Sequence, residues 1–84
     1  LAVEPPGAYI NVRLFGELAR YAGDRGYEFT WPLATGRTIA EILEEIGIPS
    51  IEVWMVALGG NRVDLDTVPV AGDELMVFSP VGGG

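Results

Sequence analysis

The chain has 84 residues, 49% of them hydrophobic and 20% charged, which suits one folded domain and no more. Its net charge of −7, from 12 acidic residues against five basic ones, disfavours nucleic acid and anionic membranes as partners and suits a partner with a basic docking face. With no Cys, His or Lys the chain has no thiolate nucleophile or thiolate metal site, no imidazole base and no Schiff-base or Walker lysine.

Residues 1–7, with Pro5, Pro6 and Gly7, are expected to form a loose arm. That start has neither the basic nor the apolar region of a signal peptide, and no apolar run approaches the ~18 residues of a membrane span, so the expected location is cytoplasmic. Leu1 in place of Met suggests a processed or trimmed start. From Tyr9 to Phe15 the sequence alternates, with Ile10, Val12 and Leu14 on one face and Tyr9, Asn11, Arg13 and Phe15 on the other, the pattern of a half-buried strand. Gly16 to Gly23 reads as a short helix in which Glu17 and Arg20 pair at i,i+3 and Gly23 stops the turn. Asp24-Arg25-Gly26 is a turn, and Tyr27 to Trp31 a second strand closed by Pro32.

Thr38 and Glu41 form a capping box ahead of an apolar stripe, Ile39, Ile42, Leu43 and Ile46, which ends at a Gly47 cap with Pro49 beyond it. So short a helix is not stable alone in water, and its stripe must lie on a sheet. Val53 to Leu58 reads as an interior third strand, and Gly59-Gly60-Asn61 as a turn into a short strand at Arg62-Val63. Leu65 to Val70 is irregular, and the turn at residues 71–74 leads into a last strand, Leu75 to Phe78. Glu44-Glu45 and the pair Asp64 and Asp66 read as solvated charge rather than catalytic carboxylates. One helix against one mixed sheet is a two-layer α+β domain, but the pattern does not fix the strand order.

In this order and spacing the sequence resembles the β-grasp (ubiquitin-like) sulfur carriers of the MoaD/ThiS type, and most of all the molybdopterin synthase small subunit. The marks are residues 12–19 (VRLFGELA), 38–43 (TIAEIL), 70–75 (VAGDEL) and the tail 78–84 (FSPVGGG), and the resemblance covers residues 9–84. It departs from the family pattern at Ser79, where the first of two consecutive prolines usually stands. The implied fold is a mixed sheet of four to five strands on one main helix, with a short helix after the first strand. The implied division is an arm over 1–7, a domain over 8–78 and an extended glycine tail over 79–84.

The resemblance also implies a chemistry. An E1-like adenylyltransferase activates the carboxylate of Gly84 with ATP. A sulfur donor of the desulfurase or rhodanese type then converts it to a thiocarboxylate, and the molybdopterin synthase large subunit receives the sulfur. ATP belongs to the activating partner, and the chain itself holds no permanent cofactor and no metal. Gly83, Gly82, Val81 and Pro80 thread the tail into the partner's site. A terminal carboxylate has a pKa of about 3.3–3.7 and at neutral pH is a poor electrophile, which matches a chain with no catalytic machinery of its own. At ~3.3–3.6 Å per residue the tail spans about 20 Å.

If Ile10, Val12, Leu14, Leu75 and Val77 face the helix, then Phe15, Met76 and Phe78 lie on the opposite face of the sheet. They form either a second small core or an exposed docking patch at the base of the tail, with Arg13 as a polar rim. Other carriers serve thiamine or cysteine synthesis, a ubiquitin-like modifier would join the same tail to lysines of other proteins, and a plain β-grasp interaction module would use it for nothing.

Overall fold

The computed structural model describes residues 8–80. Five strands, β1 (Tyr9–Leu14), β2 (Glu28–Pro32), β3 (Met55–Leu58), β4 (Asn61–Val63) and β5 (Glu74–Phe78), form one sheet in the order β2-β1-β5-β3-β4. The central pair β1 and β5 is parallel and every other pair antiparallel. The helix α1 (Ile39–Ile46) covers one face. This is the β-grasp, an α+β fold.

Alternation in the strands decides what α1 covers. Ile10, Val12 and Leu14 of β1 and Leu75 and Val77 of β5 are buried, and they meet Ile39, Ile42, Leu43 and Ile46 of the helix in one core with Leu18, Ile48 and Val56. Burying four helix side chains of this size contributes about 6–12 kcal/mol, which is what holds an eight-residue helix in place.

Its N-terminus is fully satisfied. Thr38 Oγ1 accepts from Glu41 N at 3.1 Å, and Glu41 Oε1 accepts from Thr38 N at 2.9 Å. The amides of Ile39 and Ala40 donate to the carbonyls of Thr67 and Leu65, each at 2.9 Å. The irregular segment after β4 therefore supplies the acceptors that helix geometry leaves wanting. At the other end Gly47 adopts φ +104 and donates to the carbonyls of Leu43 and Glu44, a left-handed cap that suits glycine. Glu45, exposed, accepts from Trp31 Nε1 at 3.2 Å and pairs with Arg37 Nε at 2.8 Å, tying α1 to β2.

Three elements differ from the sequence reading. The segment after β1 is a 3-10 rather than an α-helix, and it runs from Gly16 to Arg25 as two stretches joined at a non-helical Gly23 (φ 65, ψ −133). Gly23 breaks the helix as its backbone freedom suggests, but Asp24 and Arg25 add a further turn. The third strand begins at Met55 rather than Val53, because Pro49 opens a 3-10 turn over Ser50–Glu52 that consumes the preceding residues. Pro32 lies inside β2 rather than beyond it, opposite Tyr9. β2 is an edge strand, and with Leu14 donating to Tyr27 and Leu33 to Ala8, Pro32 sits on the solvent side of the alternation, where its missing N–H costs no ladder bond and blunts the edge.

Candidate functional site

The site is the end of the sheet from which the tail departs. β5 ends at Phe78, and Phe15, one residue past β1, extends the parallel ladder by donating from its amide to the Val77 carbonyl at 2.9 Å. Because Val77 faces α1, Phe78 and Met76 fall on the outer face of the sheet, and the same alternation puts Phe15 beside Phe78. Their rings stack with centroids 4.5 Å apart and planes 11° from parallel. Phe15, Met76 and Phe78 are all half-buried, so the stack is neither core nor free surface. It exposes aromatic area beside the root of the tail, on the face α1 leaves uncovered.

Other strands complete the patch. Met55 pairs with Phe78 and Ala57 with Met76; Met55 is half-buried and Ala57 buried. The amide of Trp54, a residue 57% exposed, donates to the Phe78 carbonyl at 2.7 Å and so holds the backbone at the tail root. Sequence reasoning missed Met55 and Ala57. They join the patch only through the β3–β5 register, and alternation within one strand carries no information on which strand lies next to it.

Arg13 lies on the same face. One of its terminal nitrogens approaches both carboxylate oxygens of Glu28 at 3.4 Å, while its Nε is buried without a hydrogen-bond partner. Gly16 stands against Ser79. At φ +72 it takes a backbone conformation that disfavours other residues, and a Cβ there would collide with the Ser79 hydroxyl and sit 3.2 Å from its Cβ. Ser79, the departure from the family pattern, is half-buried in this contact, and Pro80 after it is exposed. Val81, Gly82, Gly83 and Gly84 lie outside the described residues.

Among the described residues no three acidic side chains converge as a metal site would require, and no helix is long and apolar enough to cross a membrane. Glu44, Asp64 and Asp66 are exposed, on the helix and the loop after β4, and Asp64 lines an open pocket together with Met55.

A model of the Mut7-C ubiquitin family matches residues 7–81. The chain belongs to that family. Solved structures carry the same fold. This Mut7-C ubiquitin domain is similar to small archaeal modifier protein 1 of Haloferax volcanii, with 27% identity and a TM-score of 0.69 over 89% of this chain and 100% of that one. It is also similar in fold to a Pyrococcus furiosus protein provisionally assigned as molybdopterin converting factor subunit 1 (24% identity, TM-score 0.68, 89% of this chain and 100% of that one). A third likeness, again in fold, is to small archaeal modifier protein 1 of Methanosarcina acetivorans (21% identity, TM-score 0.65, 92% and 97%). No curated protein matches the sequence. The family and these neighbours place the Mut7-C ubiquitin domain among ubiquitin-like β-grasp proteins.

Proposed function

We propose that this chain is a sulfur carrier whose Gly84 carboxylate is adenylated by an E1-like enzyme, converted to a thiocarboxylate and used as a sulfur donor. The acceptor we assign is the pterin precursor of molybdopterin, with the chain as small subunit of the synthase. The carrying observation is the half-exposed Phe15–Phe78 stack at the root of a tail that ends Val81-Gly82-Gly83-Gly84. It offers a partner an apolar grip on the domain at the point where the glycines depart.

Each step leaves the chemistry with the partners. The carboxylate oxygen attacks the α-phosphorus of ATP and pyrophosphate leaves. A hydrosulfide equivalent then attacks the acyl carbon and AMP leaves, so the carboxylate has exchanged one oxygen for sulfur. The glycines contribute clearance, since a side chain next to the adenylate would crowd a closed pocket. Pro80 biases Ser79 toward extended backbone. If residues follow Gly84 in a precursor, they must be cleaved before activation.

A second reading has its own support. The likeness to small archaeal modifier protein 1 extends over the whole of that protein, and a modifier would use the same activated Gly84 to acylate lysines of other proteins. One experiment separates the two: intact mass of the chain after incubation with ATP, an E1-like enzyme and a sulfur donor, alone and in cell extract. Exchange of one oxygen for sulfur supports the carrier, a ladder of larger conjugates without that exchange supports the modifier, and an unchanged mass overturns both.

A further inference from the structure

The helix layer carries a surface feature that the tail root does not use. An open hollow of about 320 Å³ is walled by Ala40 and Leu43 of α1, Ile48 and Pro49 beyond its cap, Val53, and Leu65 in the loop after β4. Leu43 and Ile48 are buried at its floor, while Ala40 and Pro49 are exposed at its mouth. The turn Ser50–Glu52 borders it through Ser50 and carries Ile51, 83% exposed and the most exposed large apolar side chain among the described residues. A lone exposed isoleucine needs no explanation, but one beside an apolar hollow enlarges the apolar surface.

The charge around this hollow has one sign. Glu44 lines it, and Asp64 and Asp66 stand exposed on either side of Leu65. Neighbouring Cα atoms are about 3.8 Å apart, so both aspartates are anchored well inside the ~8 Å screening length of physiological salt. None of the three carboxylates has an ion-pair or side-chain hydrogen-bond partner among the described residues. Among those residues no arginine lines the hollow. Arg37 pairs with Glu45, Arg20 feels Glu52 but pairs with Glu17, and Arg62 borders a neighbouring pocket with Asp64 without forming an ion pair. Glu44 also stands in the last turn of α1, which has no basic residue and where the helix dipole disfavours a carboxylate. The fold gains nothing from a negative charge at that position.

We propose that the hollow is a second docking site, for a basic amphipathic segment of a protein partner. One bulky apolar side chain of that segment fills the hollow and packs on Ile51. Lysine or arginine on either side of it meets Glu44 and the pair Asp64 and Asp66. The apolar anchor supplies affinity and the charged rim supplies selectivity, and the same carboxylates turn away acidic peptides, nucleic acid and anionic lipid. This gives a place in the fold to the basic partner face expected from a net charge of −7. Neither Gly84 nor the tail root enters the site, so it stands apart from the sulfur-carrier reading, and a partner seated here leaves the Phe15–Phe78 stack free.

The test selects random linear peptides displayed on phage against the full chain. Enriched peptides are then titrated by calorimetry into wild type, Glu44→Arg, Ile51→Ser and, below its melting range, Phe15→Ala. Glu44 and Ile51 are exposed, so their variants are expected to keep the wild-type melting temperature. Enriched peptides are expected to carry one large apolar residue among lysines or arginines. They should bind Ile51→Ser roughly tenfold weaker, Glu44→Arg roughly fivefold weaker, and Phe15→Ala as they bind wild type. No enrichment, enrichment of acidic or uncharged peptides, or binding that Glu44→Arg and Ile51→Ser leave unchanged overturns the proposal. So does binding lost only in Phe15→Ala, which assigns the peptides to the other face of the sheet. Self-association of wild type in sedimentation that Ile51→Ser abolishes also overturns it, by giving the hollow to a second copy.

Discussion

Replacing Phe15 with Ala separates the two roles of the aromatic stack. The ring is half-buried and stacks on Phe78 at 4.5 Å. A stack of this geometry contributes about 0.5–1.5 kcal/mol beyond area, and burying half a phenylalanine about 1 kcal/mol more. The expected loss of stability is thus about 2 kcal/mol, below the 3–5 kcal/mol roughly typical of a fully buried Phe→Ala change. For a domain of this size it lowers the midpoint of thermal unfolding by about 8–16 °C. If the exposed half of the ring also grips a partner, Phe15→Ala should weaken the E1-like enzyme's hold by at least about 2 kcal/mol, near thirtyfold, as a central aromatic contact does. Calorimetric melting measures the first quantity, and titration below the variant's melting range the second. A variant that loses 4 kcal/mol or more of stability yet binds undiminished would refute the division, because the ring would then belong to a second core and not to an interface.

Further expectations follow from single residues. Thr38→Ala removes half of the capping box and should cost about 1 kcal/mol in urea unfolding; no change would mean that the Thr67 and Leu65 carbonyls hold the helix entry alone. Glu45→Gln breaks an exposed pair with Arg37 and should cost less than about 1 kcal/mol, so a larger loss in the same assay would make the Trp31–Glu45–Arg37 link a determinant of the fold. Gly84→Val should abolish thiocarboxylate formation by intact mass while leaving the melting curve unchanged, and normal product from this variant would remove the steric role of the terminal glycine.

What the sequence revealed of the fold was whatever depends on near neighbours in the chain. Thr38 with Glu41, the spacing of Ile39, Ile42, Leu43 and Ile46, and the cap at Gly47 all signal through contacts within four residues. The alternation of β1 and β5 told which side chains face the helix, and hence that Phe15, Met76 and Phe78 lie on the other side. The nature of the turn after β1 was not legible. A glycine at Gly23 signals a break, but whether the turns around it close as α or 3-10 depends on how Leu18 and Ala22 reach the core. The rest of the site was hidden because it is assembled between strands. Met55 and Ala57 enter it through register alone, and the Trp54 backbone reaches the tail root through one amide bonded to Phe78. The contact of Gly16 with Ser79 joins residues 63 positions apart and left no local trace.

On the proposed reading all of these surfaces serve a reaction at a single carboxylate, and the most direct measurement is made there. After incubation with ATP, the E1-like enzyme and a sulfur donor, the carboxy-terminal peptide is isolated and its mass determined by fragmentation. Sulfur located in the terminal carboxyl group of Gly84, and lost again when acceptor is added, is the expected result. An unmodified Gly84, or sulfur carried on any other residue, would contradict the assignment of this chain as a sulfur carrier.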